Sequence, residues 1–84
     1  MKLVSLRHMS VGQSGTIARV KGGGAIGARI REMGLVPGAE ILIMGRAPLN
    51  DPVHIKLHGY DLTLRNNEAD HILVKVPETG EDGP

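Results

Sequence analysis

The stretch Gly22-Gly23-Gly24-Ala25-Ile26-Gly27-Ala28-Arg29-Ile30-Arg31-Glu32-Met33-Gly34 decides between two different folds. Its glycines satisfy both G-x-G-x-x-G and the opening of G-x-x-x-x-G-K-[ST], and a strand-like run at 16–21 precedes them. A dinucleotide site also needs a full crossover helix and an acid at the end of the next strand. Here the helix is short and the next strand ends in Met44-Gly45-Arg46, while Glu40 stands at its beginning. The phosphate loop fails sooner, because Ala28 and Arg29 follow Gly27 where Lys and Ser or Thr are required. The glycines therefore read as a flexible strand-to-helix connection with close backbone approach.

Working outward, Ile26, Ile30 and Met33 recur at helical spacing, with Arg29, Arg31 and Glu32 between them. Gly34 and Leu35 predict a Schellman stop in which Leu35 covers Ile30, and Pro37-Gly38 predicts a type II turn. On the N-terminal side, residues 3–6 and 16–21 predict strands separated by a turn at 11–15. On the C-terminal side, Ile41-Leu42-Ile43-Met44 is apolar at every position, which predicts a strand covered on both faces. Residues 47–52 form a rigid loop. Val53, Ile55 and Leu57 alternate with His54, Lys56 and His58. After a His58-Gly59 turn, Tyr60, Leu62 and Leu64 alternate with Asp61, Thr63 and Arg65, which predicts a hairpin with Tyr60 facing inward. One helical turn at 66–71, a closing strand at 72–76 and a disordered acidic tail at 77–84 complete the expectation. The architecture is mainly β: a small barrel of five to six short strands with one short inserted α-helix, closed so that no sheet edge is left open.

Eighty-four residues make a single domain, taken as 1–76 plus the tail. The chain has no Phe, no Trp, no Cys and a single Tyr, so its core must be aliphatic and it has neither a disulfide framework nor a thiolate metal site. Met1 to Leu6 reaches Arg7 too soon for a signal peptide, and no apolar run is long enough to span a bilayer, so a cytoplasmic protein is expected. Net charge is only +1 but segregated: Lys2, Arg7, Arg19, Lys21, Arg29 and Arg31 precede the first acid, and acids dominate after Asn66.

No nucleophile or acid pair carries a catalytic pattern, which points to a binding module rather than an enzyme and implies no cofactor. His54 and His58, placed on one face of a strand, would stand about 13 Å apart, too far for one metal. Glu68, Asp70 and His71 cluster in sequence as weak metal-ligand candidates without a recognised spacing. The lack of aromatic residues argues against stacking nucleic acid bases, leaving only backbone contacts through Arg19, Lys21, Arg29 and Arg31.

Three blocks, RIREMGLVPGAEI (29–41), RAPLNDP (46–52) and GYDLTLRNNEADHILV (59–74), together resemble the FeoA family of bacterial ferrous iron uptake, and the resemblance covers about 3–76. It implies an SH3-like barrel without catalytic activity and an accessory role beside FeoB, a membrane transporter whose cytoplasmic part contains a GTPase. It implies a location at the inner membrane only through that partner; the lack of an apolar span and of stacking aromatics leads us to expect no membrane insertion of its own and no nucleic acid partner. Arg29, Arg31 and Arg46 are the candidate charged contacts, and Leu35, Pro48 and Leu49 the candidate apolar ones. The alternatives are a regulatory barrel akin to the last domain of DtxR-type iron-dependent repressors, without their helix-turn-helix, or a small nucleic-acid-associated barrel. A metallochaperone using Glu68, Asp70 or His71 is a third.

Overall fold

Alternation in the strand Val53–Leu57 (β4) becomes a two-faced strand: Val53, Ile55 and Leu57 are fully buried, while His54 and Lys56 lie outside. Its partner Tyr60–Leu64 (β5) pairs in the register Leu57↔Tyr60, Ile55↔Leu62 and Val53↔Leu64. Positive φ at both His58 and Gly59 marks the type I′ turn whose twist suits a two-residue hairpin. The computed structural model describes residues 1–77. It adds Lys2–Ser5 (β1), Ser14–Val20 (β2), Glu40–Arg46 (β3) and Ile72–Val76 (β6). A helix, Gly24–Glu32 (α1), lies between β2 and β3, a single turn, Asn66–Ala69 (α2), between β5 and β6, and a 3-10 turn, Leu6–His8, follows β1. The six strands form one antiparallel sheet in the order β1-β6-β2-β3-β4-β5. The mainly β expectation with one short inserted helix holds. Residues 78–84 of the acidic tail lie outside the described residues.

The core is aliphatic. Leu6, Ile17, Ile30, Leu35, Ile43, Ile55, Leu57, Leu64, Ile72 and Val74 are all essentially inaccessible and form one cluster. Burial of such a side chain contributes about 1.5–3 kcal/mol. α1 is anchored there by Ile30, and its end is a complete Schellman motif. Gly34 has φ +96°, its N–H donates to Arg31 O at 3.0 Å, and Leu35 N–H donates to Ile30 O at 3.3 Å. The type II turn follows, with Ala39 N–H on Val36 O at 3.0 Å and Gly38 at φ +95°.

The glycine run resolves into a steric requirement. A Cβ on Gly27 would stand 2.5 Å from Gly22 O, so the connection folds tightly against the helix it feeds. Lys21 N–H donates to His71 O at 2.6 Å, which holds the end of β2 against the start of β6.

Four expectations are corrected. β3 is covered on one face only: Ile41 and Ile43 are buried, whereas Leu42 is half-buried and Met44 is exposed. An antiparallel strand needs only one buried face, and the register shift between Ile43 and Gly45 breaks the alternation. Tyr60 shares the inward parity of Leu62 and Leu64 but is 50% exposed. It begins β5 beside the turn, and its Oη lies 3.3 Å from where a Cβ on Gly34 would sit, so one side rests on the end of α1 and the rest meets solvent. His58 belongs to the turn rather than to a strand, and only His54 is on β4. The sheet is not closed, because β1 and β5 are its edges; α1, α2 and the 3-10 turn complete the packing around the core instead.

Candidate partner-binding surface

α2 is a junction on which three other segments converge. Its approach is set by Arg65, whose backbone N–H donates to Glu68 Oε1 at 3.0 Å across the first turn. Reciprocal bonding of this kind satisfies a donor that a helix start leaves orphaned. Glu68 is the one buried charged residue among those described, and its other oxygen, Oε2, faces Arg29 Nε of α1 at 3.6 Å. One residue past α2, Asp70 accepts from Arg7 Nη1 of the 3-10 turn at 2.9 Å. At the N-terminus of α2, Asn66 N–H donates to Asp51 Oδ1 at 2.9 Å and Asn66 Nδ2 to Asn50 O at 3.0 Å, which ties down the loop at 47–52. Arg46 closes the circuit: its Nη2 donates to Arg7 O at 2.6 Å and to Met9 O at 2.8 Å.

This network sorts the six candidate contact residues. Arg29 is 70% exposed despite its ion pair, and Arg31 is exposed with no ion pair among the described residues. Both lie on α1. Pro48 is exposed and Leu49 is 89% exposed, at the tip of the loop that α2 restrains. Arg46 is half-buried, and its guanidinium is partly spent on bracing the 3-10 turn. Leu35 is corrected: it is fully inaccessible, as its Schellman position dictates, and offers no surface to a partner. The accessible candidates thus form two groups, one on α1 and one on the β3–β4 loop, joined through α2.

The three metal-ligand candidates are not brought together. Glu68 is spent on Arg65 and Arg29, Asp70 on Arg7, and the His71 ring rests against Gly22, with Nδ1 2.8 Å from where a Cβ would be. Among the described residues no group of three or more His, Cys, Asp or Glu is positioned to hold a metal ion. On the outer face of the hairpin, His54 Nε2 and Lys56 Nζ both meet Asp61, at 3.4 and 3.6 Å.

Two residues gain importance that the sequence did not mark. Asn66 joins α2 to the β3–β4 loop, and Val11 is 60% exposed in the turn before β2. Neither lies in a periodic run, so pattern alone could not have found them.

A small antiparallel sheet of six strands carrying one short inserted helix is the architecture of an SH3-like domain. The sequence matches the FeoA domain family over residues 4–76, and the chain belongs to that family. A curated relative, the Fe(2+) transport protein A/Fe(2+) transporter FeoB fusion protein of Porphyromonas gingivalis, is 38% identical over 71 residues, covering 84% of this chain and 8% of that protein. The chain therefore spans a small part of the relative it matches. The FeoA-like protein of Clostridium acetobutylicum superposes with a TM-score of 0.84 at 36% identity, over 90% of this chain and 88% of that one. The zinc-complexed FeoA of Stenotrophomonas maltophilia, described as a prokaryotic SH3 domain protein, gives 0.76 at 25% identity over 86% and 89%. T. acidophilum IdeR shares the fold, with a TM-score of 0.80 at 22% identity over 92% of this chain and 35% of that one, and a manganese-dependent transcriptional repressor gives 0.81 at 16% over 89% and 42%, likenesses that concern the fold alone.

Proposed function

We propose that this domain is an accessory protein of bacterial ferrous iron import that docks on the cytoplasmic, GTPase-containing part of a FeoB-type transporter. The observation that carries this reading is the fusion: a relative 38% identical to this chain occurs in one polypeptide with an Fe(2+) transporter. Joining two modules makes their encounter intramolecular, with effective concentrations of order mM for short linkers, which favours pairs that act in contact. The domain works by binding rather than catalysis. No helix among the described residues is long and apolar enough to cross a membrane, so in this reading the transporter brings the domain to the membrane surface. The docking surface is the one organised by α2, with Arg29 and Arg31 supplying charge, Leu49 and Pro48 apolar contact, and Arg46 bracing the loop between them. A preformed, restrained loop loses little entropy on binding.

The repressor alternative rests on fold likeness alone, and the nucleic-acid alternative lacks base-stacking residues, since Tyr60 is the single aromatic. The test is co-purification of the tagged chain with the detergent-solubilised FeoB-type transporter of the same cell. Retention at roughly stoichiometric ratio is expected, and retention no greater than that of an unrelated SH3-like domain contradicts the proposal.

A further inference from the structure

Beside the α2 junction lies an open depression of about 700 Å³ that includes Leu49 and Arg46 but not α1. Its walls come from three separate segments: Arg7, His8 and Val11 around the 3-10 turn, Arg46 and Leu49 at the β3–β4 loop, and Asn66 at the start of α2. Leu49 and Val11, 89% and 60% exposed, are two of the most accessible large apolar side chains of the described chain, and they face the same hollow.

The charge around it has one sign. No Asp or Glu lines the depression, whereas two arginines and a histidine do. Arg7 is neutralised from behind by Asp70 at 2.9 Å. Arg46 is not neutralised: its two contacts are backbone carbonyls, and no carboxylate pairs with it among the described residues. In the same wall, Asn66 fixes the loop through Nδ2 on Asn50 O and its N–H on Asp51 Oδ1, so Leu49 is carried on restrained backbone.

From these observations we infer that the depression is the seat of a protein segment that presents an aliphatic side chain next to a carboxylate. This deepens the docking proposal and rests on it. The aliphatic side chain lies between Val11 and Leu49, and the carboxylate answers Arg46 with His8 and Arg7 on the rim. Apolar exposure of this kind with no aromatic wall suits an aliphatic protein contact better than nucleic acid bases, which stack on aromatic rings. The sign of the field further selects acidic partners and steers their encounter.

The test uses the full chain and, as probe, the purified soluble cytoplasmic region of the FeoB-type transporter, measured by isothermal titration. Leu49 and Val11 are exposed, so Leu49→Asp, Leu49→Lys and Val11→Asp leave the core intact; circular dichroism melting checks this. Leu49→Asp and Val11→Asp are expected to raise Kd about tenfold or more, since each removes an apolar contact and adds a like charge. Leu49→Lys also removes the apolar contact but keeps the favourable sign, so it is expected to raise Kd at least about threefold less than Leu49→Asp does. Equal losses from Leu49→Asp and Leu49→Lys would overturn the acidic chemistry of the partner. Wild-type binding untouched by all three variants would overturn the inference while leaving the docking proposal standing. No wild-type binding would sink both together. Two further outcomes also overturn it: RNA bound in a filter assay and lost in Leu49→Asp, or a wild-type dimer in sedimentation that Leu49→Asp dissociates.

Discussion

Glu68 is 7% exposed and divides its carboxylate between the Arg65 N–H at 3.0 Å and the Arg29 guanidinium at 3.6 Å. The two contacts differ in worth. Arg29 is largely solvated, so the ion pair contributes at most about 1 kcal/mol, whereas an orphaned backbone donor costs about 1–3 kcal/mol. Urea unfolding should therefore separate two substitutions. Glu68→Gln keeps an acceptor for Arg65 and is expected to lose less than about 1 kcal/mol, while Glu68→Ala is expected to lose about 1–3 kcal/mol. A second contrast tests the glycine run. Gly27→Ala places a Cβ 2.5 Å from Gly22 O, on backbone that cannot swing aside, and is expected to destabilise by about 1–3 kcal/mol. Gly23 is the N-cap of α1, has no positive φ and has open space at its Cβ, so Gly23→Ser is expected to gain a few tenths of a kcal/mol by capping. The same denaturation curves measure both. Equal effects at the two glycines would mean that the close approach does not constrain the connection.

At the scale of elements, what could be read in advance was whatever local chemistry dictates. The end of α1 was legible because Gly34, Leu35, Pro37 and Gly38 each fill a backbone role that few other residues can. The hairpin was legible because alternation and a two-residue turn fix register together. At the start of α1 the missing Lys and strand-end acid removed both nucleotide motifs, but which glycines meet was not legible, because the Gly22–Gly27 approach is a contact in space. Tyr60 was misplaced for a related reason: parity says which face a side chain takes, but not that β5 begins at the margin of the core beside the end of α1. The open edges at β1 and β5 likewise depend on pairing between distant segments. The candidate surface was half legible. Arg29, Arg31, Pro48 and Leu49 emerged as exposed positions, while the burial of Leu35 and the bracing by Arg46 are consequences of assembly. Gly34→Ala tests the best-read element. It forces a Cβ into φ +96° and is expected to cost about 1–2 kcal/mol by thermal or urea unfolding. No loss of stability would mean that α1 does not need its Schellman stop.

For the whole molecule, an aliphatic core about one small domain in size supports a surface organised by one short turn of helix. Six of the ten lysines and arginines precede the first acid, and two of those six meet later acids, Arg7 with Asp70 and Arg29 with Glu68, while Asp51 faces Arg65. Lys2, Arg19, Lys21, Arg31, Arg46 and Lys75 have no ion pair among the described residues, and of these Arg31 lies on α1 and Arg46 at the loop, where an acidic partner docked on this surface would find a charge. If contact with the transporter is the function, a weakened surface should be rescued by tethering, because a linker substitutes effective concentration for affinity. The decisive measurement is the initial rate of Fe(II) uptake in cells lacking this chain, complemented with Leu49→Asp either as a separate protein or joined by a flexible linker to the FeoB-type transporter. The account predicts uptake well below wild type with the separate variant and near wild type with the tethered one. Uptake that is the same with and without the chain, in either form, would contradict it.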